Sequence, residues 1–245
     1  MKNRDNPYLN EVHATLLRLL ALFDVDSTSR SYGWGDRFHW GWKLIDFPNA
    51  TFQGAAHGLA RLVSVDALPD GYGERAMVAR IDSIFEGTRR LTRGDGSLEE
   101  AFPNEGSYCV TALVAFDLLS ATELLKERVG EAVRKRWLDI VRPLIGFLLN
   151  SSEHHAFISN HLATAAAALV LWSDACGGHG EERARTLIRR IVTAQSEEGW
   201  FPEYEGADPG YQSLATYYLA DVHRRRPEWG LAGPLAKAID RKSVV

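Results

Sequence analysis

The chain has 245 residues, 45% of them hydrophobic, enough for one domain with a substantial core. A formal net charge of -4 and a pI near 6.1 leave no electrostatic footprint for nucleic acid. Its two cysteines, Cys109 and Cys176, fall in separate segments with no CxxC neighbour, which excludes a disulfide scaffold or a zinc ribbon and fits reduced thiols in a cytoplasmic protein.

The polar start Met1–Pro7 leads into Leu9, Val12, Leu16, Leu19, Leu20 and Phe23, an apolar stripe at helical steps. Glu11, His13 and Arg18 interrupt that stretch, so it predicts an amphipathic helix and not a signal peptide. No run in the chain approaches the roughly 18 apolar residues of a membrane span.

Residues 27–47 form a segment too long for a plain connector, and such loops are usually functional or disordered. Its aromatic content argues against disorder. Trp34, Trp40 and Trp42 suit stacking on a flat or ring-shaped ligand, and Arg37 suits an anionic group on it. An arginine stacked on an exposed tryptophan is an equally ordinary explanation of the same residues.

Beyond this loop, helices alternate in kind. Residues 74–91 carry Met77, Ile81, Ile84 and Phe85 on one face. Residues 130–149 carry Val133, Trp137, Ile140, Val141, Leu144 and Leu148, with a kink expected at Pro143. Residues 181–194 carry Leu187, Ile188 and Ile191. These helices, with the first, are charged on the opposite face. Between them, 55–66, 107–125, 160–173 and 210–223 are richer in Ala, Leu and Tyr. The stretch His161–Trp172 is apolar nearly all round, as in a helix buried on most sides. The pattern predicts an all-α fold in one domain, built of four helical hairpins with inner and outer helices, at about 1–70, 71–127, 128–178 and 179–245.

One loop occurs twice. Asp95–Tyr108 and Glu198–Tyr211 superpose without a gap at an offset of 103 positions, matching Gly96 with Gly199, Glu100 with Glu203 and Tyr108 with Tyr211. Each copy is polar and aromatic and runs into an inner helix. His57, Tyr108, His161 and Tyr211 recur at spacings of 51, 53 and 50 near the predicted starts of the inner helices. Hairpins wound round one axis would bring these four side chains to the same end. Asp208-Pro209 reads as an N-cap followed by proline at the first helical position.

Candidate chemistry follows from these positions. His161 at a helix N-terminus has its pKa drawn down by the dipole, which favours a base, and Asn160 can donate amide hydrogens to a carboxylate or oxyanion. Tyr211 is a candidate acid or base. Glu105, Glu203 and Asp208 are candidate acids in the repeated loops, although helix N-termini recruit such residues anyway. His154-His155 lacks partners at fixed offsets, so no metal site is expected, and no cofactor.

Tandem hairpins of inner and outer helices resemble the α/α toroid class, here as an incomplete or small toroid. Ile158-Ser159-Asn160-His161-Leu162-Ala163 resembles the Asn-His helix of heparinase II/III-type and alginate-lyase-type polysaccharide lyases. Glu198-Gly199-Trp200-Phe201-Pro202-Glu203, followed by Pro209-Gly210-Tyr211, is similar to a later segment of the same proteins. The resemblance implies β-elimination at a uronic acid of an acidic polysaccharide. Asn160 would neutralise the substrate carboxylate, His161 or Tyr211 would take the C5 proton, and Tyr211 would protonate the leaving oxygen. His57, Tyr108, Trp34, Arg37, Trp40, Trp42, Glu105, Trp200, Glu203 and Asp208 would line the substrate. A second resemblance, of Gln195-Ser196-Glu197-Glu198-Gly199-Trp200 to the repeated signature of terpenoid cyclases and protein prenyltransferase β-subunits, implies an apolar central pocket, with the signature tying outer helices to loops. A toroid without catalysis, binding glycan or a protein partner, is the third expectation.

Overall fold

Residues 6–239 are described by a computed structural model; the outermost ends of the first and last predicted units lie outside them. The regular structure among these residues is helical, and β-pairing is limited to isolated bridges. No helix among them is long and apolar enough to cross a membrane.

The first helix, α1 (Pro7–Leu20), starts where Asn6 accepts hydrogen bonds from the backbone N–H of Tyr8 and Leu9, with Pro7 in its first turn. A short α2 (Arg37–Trp40) lies inside the aromatic loop, and a 3-10 turn (Ala50–Gly54) runs into α3 (Ala55–Ser64). There follow α4 (Glu74–Leu91), α5 (Tyr108–Leu124), α6 (Glu131–Asn150), α7 (Ser159–Cys176), α8 (Glu181–Thr193), α9 (Pro209–Arg225) and α10 (Ala232–Ile239). The helix periods read from the sequence match these spans within a few residues, and α6 continues through Pro143.

Helices α3, α5, α7 and α9 pack in succession, and each also packs on the outer helix that follows it, α4, α6, α8 and α10 respectively. The largely apolar α7 sits against α5, α8 and α9 and is buried along most of its length. The inner layer is curved: Phe116 of α5 meets Tyr217 and Tyr218 of α9, although α7 lies between those helices in the packing order. In the outer layer Phe85 of α4 stacks on Trp137 of α6 at 4.3 Å, and the Trp137 indole donates to Asp82. Truncating either fully buried ring costs about 3–5 kcal/mol.

The loops before α3, α5 and α9 share one device. In the second and fourth units, Arg93 N–H donates to Ser97 O while Gly96 N–H returns to Arg93 O; Ser196, Gly199 and Trp200 make the same pair of bonds. Both glycines have positive φ, 88° and 101°. A third copy, not evident in the sequence, closes between Asp24, Gly33 and Trp34 around the inserted residues 25–32. A side chain from the inner helix, or from the 3-10 turn that leads into it, then clamps each of these three loops. Gln53 accepts from Gly35 N–H and donates to Ile84 O, and Gln212 accepts from Phe201 N–H and donates to Ala238 O. The Thr111 hydroxyl oxygen accepts from Leu98 N–H. Gln195 ties the end of α8 to Gly199 O and to Pro234 O.

This device corrects the ungapped superposition. Gly96 and Gly199 are equivalent, but the register then slips by two, because Thr111 and Gln212 fill the same place and the N-caps are Ser107 and Asp208. Tyr108 is the first residue of its helix and Tyr211 the third of its own, so the two tyrosines are not equivalent. His57 is displaced as well. The 3-10 turn before α3 puts Gln53 in the clamp position, and His57 lies one turn deeper, against Asp117 in the middle of α5.

Candidate functional site

The loop before α7 lacks the clamp. It folds instead around Glu153, whose side chain is almost fully buried. One Glu153 oxygen accepts from the His161 ring at 2.7 Å, and the other from the His155 ring and the His155 backbone N–H, both at 3.0 Å. Burial alone would raise the Glu153 pKa, but these hydrogen bonds outweigh it and hold the carboxyl at about 2. Glu153 is therefore a carboxylate at neutral pH and can only accept. The His161 hydrogen must then sit on Nδ1. In the neutral ring Nε2 keeps its lone pair, and among the described residues it has no hydrogen-bond partner.

His155 reaches further, its Nε2 meeting Glu105 Oε1 at 3.2 Å. With an acceptor at each ring nitrogen, the doubly protonated form satisfies both contacts. The hydrogen bonds it donates to Glu153 and Glu105 accordingly raise its pKa.

These groups border a cavity of about 290 Å³ between the starts of α5 and α7. Glu100, Glu105 and Glu153 supply carboxylates to its wall, and the exposed Phe102 and Tyr204 supply aromatic faces. Tyr204 adopts φ 58°, an uncommon backbone for a non-glycine residue and one that clusters at functional sites. Burial and the neighbouring Tyr211, Glu153, Cys109 and Glu203 raise its phenol pKa, so it stays protonated. Cys109 also lines the cavity, but burial and nearby carboxylates push its thiol up to about 12, leaving no thiolate nucleophile at neutral pH.

Of the residues singled out in the sequence, His161, Tyr108 and Glu105 meet in this cavity. Tyr108 forms wall but not chemistry. Its hydroxyl is buried, and burial pushes its pKa up to about 12 against the opposing pull of Arg183 and Arg190. Asn160 does not face the cavity. Its backbone N–H and side-chain amide each donate to Glu203 at 2.8 Å, and burial raises the pKa of that carboxyl. The pair fastens the first turn of α7 to the loop before α9, so the Asn160 amide expected to meet a substrate carboxylate is engaged by Glu203, which was itself expected to line the substrate. Asp208 caps α9 through Tyr211 N–H, and Tyr211 is half-exposed beside Tyr204.

The side chains of the aromatic loop are likewise engaged within the protein. Arg37 donates to Ala21 O and lies over the rings of Trp40 and Trp42, while the Trp40 indole donates to Leu22 O. Trp34 stacks on His39. The loop is thus stapled to the end of α1, and Trp34, Arg37, Trp40 and Trp42 are not among the described cavity-lining residues. Neither is Trp200, whose indole donates to Glu198, nor His57, paired with Asp117 at 3.0 Å. Glu153 and Tyr204 were missed. The one local signal for Glu153 was an acid beside two histidines in a short loop before a helix that carries a third; for Tyr204 there was none.

Among the described residues no three His, Cys, Asp or Glu side chains are placed to hold a metal ion. In comparisons with known proteins, the chain matches no family model, no curated protein and no solved structure.

Proposed function

We propose that this chain is a carbohydrate-active enzyme that works by acid–base chemistry in the cavity between α5 and α7, with lyase-type β-elimination as its reaction. The observation that carries the reading is the Glu153–His161 pair: a buried carboxylate that fixes the imidazole tautomer and leaves Nε2 as a base. Tyr204, a phenol kept protonated at the same cavity, is the proton donor to the leaving oxygen. Phe102 and Tyr204 offer ring faces to sugar C–H groups at the rim. The paired inner and outer helices support the α/α toroid resemblance.

The cyclase alternative draws less support. The larger apolar groove, about 530 Å³, lies between α1 and α3 and has no acidic residue in its described lining to protonate an alkene.

The test is incubation with a panel of polyuronides, free and esterified, while following the ultraviolet absorbance of an unsaturated uronide. Wild type should generate it. His161→Ala and Tyr204→Phe should each lower turnover about a hundredfold or more. No absorbance on any substrate of the panel, or full activity in His161→Ala, would sink the proposal.

A further inference from the structure

β-elimination at a uronyl residue requires removal of the proton next to its carboxyl carbon. A free carboxylate makes that proton poorly acidic, because the transition state adds negative charge to a group that already carries one. An enzyme acting on the free acid needs a cation or strong donors aimed at those oxygens. This cavity presents the reverse. Glu100, Glu105 and Glu153 line it, and no lysine or arginine is among its described lining residues. The His155 ring is already held between Glu153 and Glu105, one carboxylate at each nitrogen. The Asn160 amide at the start of α7 donates to Glu203 instead. A free carboxylate entering here meets three wall carboxylates, with no lysine or arginine among the described lining residues to set against them.

We infer that the cavity takes uronyl residues whose carboxyl group is esterified. This rests on the β-elimination reading and names its substrate class. An ester carries no charge to be neutralised, and its carbonyl already acidifies the adjacent C–H. His161 Nε2 takes the C5 proton, and the C–H electron pair becomes the C4=C5 double bond. The C4–O bond breaks with its electron pair on the leaving oxygen, which takes the proton of the Tyr204 phenol. One proton is gained at His161 and one lost at Tyr204, and exchange with water restores both. Glu100 and Glu105 act in this scheme as specificity determinants: their charge discourages the free acid, and their oxygens accept from sugar hydroxyls.

The experiment uses the whole chain and matched polymers: polygalacturonate and polymannuronate, each as the methyl ester and after saponification. The ester should be cleaved with kcat/KM at least about tenfold above the acid, the size of effect expected from one like-charge contact at intermediate dielectric. Raising the salt concentration should narrow that ratio by screening. Glu100→Gln and Glu105→Gln should each narrow it too, through a gain on the saponified polymer, with folding checked by circular dichroism. Saponified polymer cleaved as well as ester, or a ratio unmoved in both variants, overturns the inference and leaves β-elimination standing. Cleavage of neither form overturns the β-elimination reading as well.

Discussion

Two of the histidine–carboxylate pairs among the described residues, His161–Glu153 and His57–Asp117, have similar geometry and opposite electrostatics. In one, His161 Nδ1 meets Glu153 at 2.7 Å; in the other, His57 Nδ1 meets Asp117 at 3.0 Å. Both carboxylates are taken out of water, which by itself raises a pKa. Glu153 gains bonds from His161, from the His155 ring and from the His155 backbone, and its pKa falls to about 2. Asp117 has the single partner His57, so burial wins and its pKa rises. The number of donors around the acid, and not the presence of a dyad, decides which pair holds a fixed negative charge behind its imidazole. Only the Glu153 pair borders the acidic cavity.

The largest expected difference between the pairs is in activity. His161→Ala should cost about a hundredfold or more in turnover, whereas His57→Ala should stay within about twofold. Equal losses in the two variants, measured on the same substrate, would erase the distinction. Stability comes next. Glu153→Gln removes an ionised acid that three donors surround, and should cost about 3 kcal/mol at pH 7 in urea unfolding. Asp117→Asn replaces an acid that burial already penalises, and should change stability by no more than about 1 kcal/mol.

The pH dependence should separate the pairs by sign. Glu153 has a depressed folded pKa, so its contribution is complete above its ordinary value of 4.5 and is lost as the pH falls toward about 2. Asp117 has a raised folded pKa, so stability from it falls as the pH rises from its ordinary 3.8 through the raised value. Unfolding followed between pH 2 and 7 should show Glu153→Gln with a shallower acid slope than wild type. Asp117→Asn should lose the opposing one.

The smallest difference tests the frame that keeps the pairs apart. Gly33 and Gly96 combine positive φ with backbone contact, since an added Cβ would fall on the carbonyls of Ser83 and Pro143. Either glycine to alanine should cost about 2–3 kcal/mol. Gly230→Ala, also at positive φ but facing open space, should cost about 1 kcal/mol. Similar thermal shifts in all three would mean that the close approach to α4 and α6 carries no energy.

The sequence by itself determined the helices and their alternation, because apolar spacing and capping residues act within a few positions of one another. The stripe of Met77, Ile81 and Ile84, the N-cap Asp208, and the apolar run after His161 were all legible in this way. The paired glycines of two loops were legible too. Only the tertiary structure decided what crosses between segments. It set the two-residue slip that separates Tyr108 from Tyr211, showed the third loop copy hidden by an insertion, and gave the Asn160 amide to Glu203. It also brought Glu153, His161 and Tyr204 to one cavity. Periodicity carries no record of these contacts, because each depends on where a distant backbone comes to rest and on which groups are then left without water.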